Sequence, residues 1–370
     1  MKKICIVTIC NGSNFGNRLQ NYALQETLES RFECRVMTAR NLSGEIGRQL
    51  LRYAPLHAFL RSGFAQAAAS TLLKNGRLLK KFKFLRFNGK YIHLTPQYLE
   101  ADRVPTGFAD RFDYFVAGSD QIWNPEIGFN SSVEYLHFAP SVKKIAYAAS
   151  FGVAALTEQQ LEYTERMLED FAHISVREAA ALSILEQVGH FDVPVVLDPT
   201  MLLTAQQWRK LEEKPAFSLE EGKYLLSYIL GRENTLAKKQ AEALCMQNGW
   251  VLVDINDPDQ YLHYGIGPGE FLYLIDHAAH ICTDSFHASV FSTLFHKNFT
   301  VFTRGNMNSR ISTLLDTVSG GREIRWDDGA CVPELEYTLA DRILEQERIR
   351  SLAFLEQCIE AAGGNHAESC

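Results

Sequence analysis

Residues 2–30 read KKICIVTICNGSNFGNRLQNYALQETLES. After two lysines, ICIVTIC is a near-continuous apolar run, the pattern of a strand buried on both faces of a parallel sheet. NGSNFGN at 11–17 is a Gly- and Asn-rich loop, and beyond it Leu19, Tyr22 and Ala23 share one face of a helix. Strand, glycine-rich loop and helix in that order open a doubly wound α/β sheet.

The same logic recurs outward from this unit. FDYFVAGSDQIW (112–123) is an apolar run ending in Gly118-Ser119-Asp120, and KKIAYAASFG (143–152) is a third strand ending in small residues. A helical pattern at 157–170 follows, then AHISVREAAALSILEQ (172–187) gives strand, Arg177-Glu178 and helix. VPVVLDPTMLL (193–203) closes this half, with Asp198-Pro199 as punctuation. After a break near 200–222, a second series runs KYLLSYIL (223–230), a helix near 234–247, WVLVDIND (250–257), the loop YGIGPGE, a helix, HICTD (280–284), SFHASVFSTLFHK and FTVFTR. Residues 337–361 read as one long amphipathic helix. The spacing predicts an α/β protein of two Rossmann-like domains facing a cleft. The N-terminal domain is expected over 1–205, with a basic helical insertion at 46–99. The C-terminal domain follows over 206–335, and a helix and tail over 336–370.

Composition narrows the class. The chain has 370 residues, 46% hydrophobic and 22% charged, as an ordinary globular protein has. No apolar run reaches bilayer-spanning length, and the expected location is cytoplasmic or peripheral at the inner face of the membrane. Eight scattered cysteines without a C-x-x-C pair point to reduced thiols and to no metal site. Net charge is −7, yet ten basic and no acidic residues lie between Glu45 and Glu100. Such asymmetry offers a face to an anionic partner or simply a solvated insertion. GRLLKKFKFLRF within it interleaves bases with Leu and Phe, which fits an interfacial helix better than a nucleic-acid reader. A peripheral membrane contact through 48–90, and no nucleic acid, is the expectation.

Ligands of open α/β sheets bind beyond the carboxyl ends of the strands, and the polar clusters of this chain lie there. In CTDSFHASVFS (282–292), Asp284 or Ser285 suits a helix N-cap, while His287 falls in the first turn, where free N–H groups attract an anion. An imidazole there can move a proton. Gly16-Asn17-Arg18 opens the first helix and suits a phosphate, a group of sugar hydroxyls or a plain tight turn; GSNFGN is not a dinucleotide fingerprint. Asp120, Gln121 and Trp123 place a carboxylate, an amide and an aromatic at a strand end, as for a sugar face or for packing. Arg177 suits a bidentate anion clamp or a salt bridge with Glu178. His263, His277, His280 and His296 lack a carboxylate at ligand spacing and read as packing or surface residues.

GNRLQNYALQ (16–25), VAGSDQIWNP (116–125), AYAASFG (146–152), SVRE (175–178), VLDPTMLL (196–203), the run 270–295 and NSRISTLL (308–315) together resemble the polysaccharide pyruvyl transferase family, in family order. The resemblance implies a glycosyltransferase-B-like fold and transfer of a pyruvyl group from phosphoenolpyruvate to a sugar of a cell-surface polysaccharide or its lipid-linked precursor, as a ketal. It implies phosphoenolpyruvate as co-substrate and no cofactor. It implicates His287 and Arg177 in donor binding and catalysis and puts Asp120 in the cleft; the protonation and hydroxyl activation that ketal formation needs then suit His287 as acid and Asp120 as base or hydroxyl-orienting group. Arg177, Asp284, Ser285, Ser309 and Arg310 fall to the donor, and Asn17, Arg18, Gln121 and Trp123 to the acceptor. Some relatives carry an arginine where this chain has Ser285, and Arg310 or Arg304 is expected to supply that charge; Ala288 stands where glycine is common. The competing expectations are a nucleotide-sugar glycosyltransferase of the same fold, and a catalytically inactive glycan-binding relative.

Overall fold

The computed structural model describes residues 1–9, 12–41, 75–101, 103–127, 130–231, 234–304 and 309–361. The first half runs β1 (Lys3–Val7), α1 (Phe15–Phe32), β2 (Arg35–Asn41), α2 (Gly76–Tyr91), β3 (Leu94–Leu99), β4 (Tyr114–Ala117), β5 (Lys144–Ala149), α3 (Glu158–Leu168), β6 (His173–Val176), α4 (Ala180–Gln187), α5 (Pro199–Leu202) and α6 (Ala205–Arg209). The second runs β7 (Tyr224–Tyr228), α7 (Thr235–Asn248), β8 (Val251–Asp254), α8 (Tyr261–Tyr264), α9 (Pro268–Asp276), β9 (His280–Thr283), α10 (Phe286–Leu294), β10 (Phe299–Phe302), α11 (Ser309–Val318), β11 (Ala330–Cys331) and α12 (Tyr337–Ala361).

Two sheets result, as the alternating pattern predicts. The first has the order β3-β2-β1-β4-β5-β6, all parallel, and the second β11-β10-β9-β7-β8, with only β11 antiparallel. In each, strand order reverses once near the middle, between β1 and β4 and between β7 and β9, and these are the points where such sheets bind ligands. This is a two-domain Rossmann-like α/β fold of the glycosyltransferase-B kind.

Strand alternation explains the layers. Along β1, Ile4 and Ile6 join one buried cluster, while Cys5 and Val7 join another on the opposite face. The cluster holding Ile4 and Ile6 continues through α1 into Tyr228, Phe271 and Phe291 of the second half. Phe15 stacks on Phe271 with ring centroids 4.4 Å apart, so the N-terminus of α1 is bolted to the other domain by aromatic packing. Helix α12 returns to the first domain: Ser351 Oγ accepts from Leu197 N at 3.0 Å, and the Ile359 carbonyl accepts from Tyr114 at 3.0 Å and from Lys2.

One expectation is corrected. The insertion at 46–99 is not helical throughout: α2 occupies 76–91, but 94–99 is edge strand β3, and 46–74 lies outside the described residues. LTPQYL alternates and contains Pro96, as a half-solvated edge strand tolerates, so it lacks the continuous apolar run of the central strands. Among the described residues no helix is long and apolar enough to cross a membrane. Six cysteines fall among them, all free and buried.

Candidate active site

The two switch points face each other. From the first sheet, Asn14 caps α1, accepting from Asn17 N at 3.2 Å, and points the helix N-terminus into the cleft. From the second, Ser285 caps α10, accepting from Ala288 N at 3.5 Å. The N-termini meet at Gly16 and His287, where a Cβ on Gly16 would overlap the imidazole at Nδ1. Only glycine lets the ring sit there.

Asp198 is the hub beneath them. It is fully buried, and its Oδ2 accepts from Arg177 Nη1 at 2.7 Å and Ser119 Oγ at 3.1 Å, while Oδ1 accepts from Thr200 N at 3.0 Å and Thr200 Oγ1 at 2.6 Å. His287 Nε2 faces Oδ2 from 3.7 Å, an ion-pair distance rather than a hydrogen bond. Burial alone would raise the Asp198 carboxyl, but His287, with Arg177 and Thr200, holds it well below the usual carboxylate range. Asp120, at a left-handed φ of 65°, accepts from Arg177 Nη2 at 3.2 Å. Burial again opposes its charge, and Arg177, His287 and Arg310 outweigh it, leaving Asp120 below its ordinary value.

Arg177 therefore pairs chiefly with Asp198 and Asp120; Glu178, its expected neighbour partner, is 3.9 Å from Nε and instead accepts from Ser150 Oγ, Phe151 N and Gly152 N. The Phe286 ring lies 4.6 Å from the Arg177 guanidinium carbon and 5.1 Å from the His287 ring, touching both. Arg310 is 6% exposed and, among the described residues, has neither a hydrogen bond nor an ion pair. Burial and then repulsion from Arg177 push its guanidinium down to about 10, still charged at neutral pH. A cavity of about 310 Å³, within the range of small-ligand sites, is lined by both arginines with Phe286, Leu197, Met201 and, as the one carboxylate among its described residues, Glu347. Asp120 and Glu178 offset part of the cost of burying this charge through space, but no described group accepts a hydrogen bond from the guanidinium.

The other expected residues divide. Asp284 accepts from Leu230 N at 2.7 Å and Gly231 N at 2.8 Å, tying the β7 and β9 ends together across the switch point. Ser309 opens α11 with a buried Oγ that has no partner among the described residues. Asn17 is buried in the first turn of α1, and Arg18, also buried, donates to the Gly12 carbonyl at 2.8 Å, which anchors the loop. Gln121 is half-buried against Gly152. Trp123 is corrected: it is fully buried, stacked on Tyr135 at 5.5 Å, and offers no face to a sugar. The sequence marks Asp198 only as punctuation; an Asp-Pro at the carboxyl end of an apolar run, beside other site-bearing strands, is the signal that identifies it. Of the remaining histidines, His280 binds Thr300 Oγ1 and burial pushes it down to about 4, and His296 meets Asp341 at 3.0 Å. His263 packs on the Phe217 ring. His277 has ligand atoms within 4.8 Å of Glu212 and Asp276, but Asp276 already holds Arg209 bidentately at 2.7 and 3.0 Å.

The sequence profile of the polysaccharide pyruvyl transferase family matches residues 14–306. The chain belongs to this family. No curated protein matches it. The match spans α1 through β10, so both facing switch points, Asp198 and His287 fall within the family region, while Arg310 and α12 lie beyond it. Family membership makes the chain a transferase acting on polysaccharide.

Proposed function

We propose that the chain transfers the pyruvyl group of phosphoenolpyruvate to two hydroxyls of one sugar, in a cell-surface polysaccharide or its lipid-linked precursor. The observation that carries this reading is the buried Arg310, without a hydrogen-bond partner among the described residues, beside Arg177 at a cavity that Phe286, the residue before His287, also lines. Phosphoenolpyruvate is a small polyanion, and two fixed guanidiniums and a helix N-terminus suit its phosphate and carboxylate. His287 gives a proton to the methylene carbon, which becomes the methyl group, and the central carbon turns cationic. A sugar hydroxyl attacks that carbon. The C–O bond to phosphate then breaks, a second hydroxyl closes the ketal, and its proton leaves with the phosphate while the first hydroxyl proton restores His287. Asp120 orients a hydroxyl rather than acting as a strong base, because its lowered pKa makes it a poor proton acceptor.

Incubation with phosphoenolpyruvate and an acceptor saccharide should release phosphate and add one pyruvyl ketal to the sugar. Release of a nucleoside diphosphate from a nucleotide sugar, with thermal stabilisation by that sugar and not by phosphoenolpyruvate, would overturn the reading in favour of glycosyl transfer.

Gly16→Ala tests the geometry. Alanine ordinarily stabilises a helix over glycine by about 0.5–1 kcal/mol. Here its Cβ overlaps the imidazole, so we expect transfer to fall by about 10²-fold through a displaced ring, with the thermal midpoint little changed. Unaltered kcat would show that the ring position does not matter.

A further inference from the structure

We propose that the outward face of α2 docks the protein on an anionic membrane surface. Set at about 100° per residue, Leu79, Lys80, Phe84 and Phe87 of this helix fall on one side and are buried against the protein. Leu78, Phe82 and Leu85 fall directly opposite, with Phe82 51% and Leu85 42% exposed at the summit of the face and Leu78 half-buried beside them. Arg77 and Lys81 form one shoulder of that face and Lys90 the other, all exposed, with Arg86 beside Lys90 and paired to Glu213. A helix lying on a protein in water carries its most polar residues at the summit. This one carries its apolar residues there and its cations beside them, the order that a headgroup–acyl boundary selects: apolar tips enter the boundary and cationic side chains stop at the phosphates.

The platform is held in place, so its exposed side chains cannot turn inward. Lys83 pairs with Glu270 at 2.5 Å and Arg86 with Glu213 at 2.8 Å, and the Phe84 and Phe15 rings lie 5.3 Å apart. A chain of net charge −7 is repelled as a whole by an anionic surface, so a local basic face also orients it. A soluble polyanion would use the cations but has no use for an exposed leucine between them, which favours the membrane. The inference does not depend on the pyruvyl reading, because its test involves no turnover.

The full chain is floated with vesicles of phosphatidylcholine alone and of phosphatidylcholine mixed with phosphatidylglycerol. We expect binding to the anionic vesicles only, weakened by about 0.5 M salt as screening requires, and lowered about tenfold in Phe82→Ser/Leu85→Ser through lost apolar insertion. The double variant should keep the wild-type thermal midpoint, since both side chains are exposed. Lys81→Glu/Lys90→Glu should lose binding through charge. Equal or absent binding of the wild type to the two vesicles, an unchanged Phe82→Ser/Leu85→Ser variant, or retention on a soluble acidic polysaccharide without vesicle binding would overturn the proposal.

Discussion

Replacing His287 with glutamine is expected to lower transfer from phosphoenolpyruvate about 10³-fold, or about 4 kcal/mol of activation free energy, with the fold intact. The reasoning starts from what the ring touches. It lies against the Gly16 backbone, 3.7 Å from Asp198 and beside Phe286, but Asp198 keeps Arg177, Ser119 and Thr200 without it. Removing the imidazole takes one favourable neighbour from Asp198 but leaves that carboxylate its ion pair with Arg177 and its hydroxyl and backbone donors, and glutamine is a good helix former of similar reach. What glutamine lacks is a proton that it can give to carbon. On the proposed reading the loss should appear in kcat, with KM for phosphoenolpyruvate nearly unchanged, because Arg177 and Arg310 would carry the anion. Phosphate-release kinetics separate the two parameters. Turnover within a few fold of wild type would remove His287 from the acid role, and a rise in KM alone would make it a binding residue.

The same site shows how far a sequence can be read. The central strands were legible because burial on both faces demands continuous apolar runs, and every site-bearing loop follows such a run. His287 stood out because it sits at a helix start where a cap alone would not need it. Asp198 did not stand out, because Asp-Pro is also the ordinary punctuation before a short helix, and it does cap α5. Its second task, gathering Arg177, Ser119 and His287 from separate segments, exists only once strands distant in sequence lie side by side. Trp123 misled for the opposite reason: a strand-end aromatic looks the same in sequence whether its face meets a sugar or, as here, Tyr135. Strand β3 was missed because an edge strand with one solvated side carries too little apolar signal beside the basic run that precedes it.

Asp198→Ala is expected to destabilise the protein by about 3–5 kcal/mol, the range for breaking a buried ion pair from one side. If Asp198 were only the cap of α5, alanine would cost about 1 kcal/mol and asparagine almost nothing. The larger figure follows from Arg177, which is 3% exposed and would keep only Asp120 at 3.2 Å and Glu178 at 3.9 Å. An asparagine side chain in this place retains an oxygen for Thr200 but not the charge, so Asp198→Asn should fall between, at about 2 kcal/mol. The pH dependence carries an independent check. The folded protein holds the Asp198 carboxyl below its ordinary value, so its stabilisation is complete above the unfolded pKa near 4 and is lost as pH falls below it. Chemical denaturation of wild type and Asp198→Asn should show a gap that is constant from pH 7 to about pH 5 and narrows by about 1 kcal/mol on going to pH 3. A gap that stays level across that range, with an alanine cost near 1 kcal/mol, would reduce Asp198 to a helix cap and leave Arg177 to be held by Asp120 and Glu178 alone.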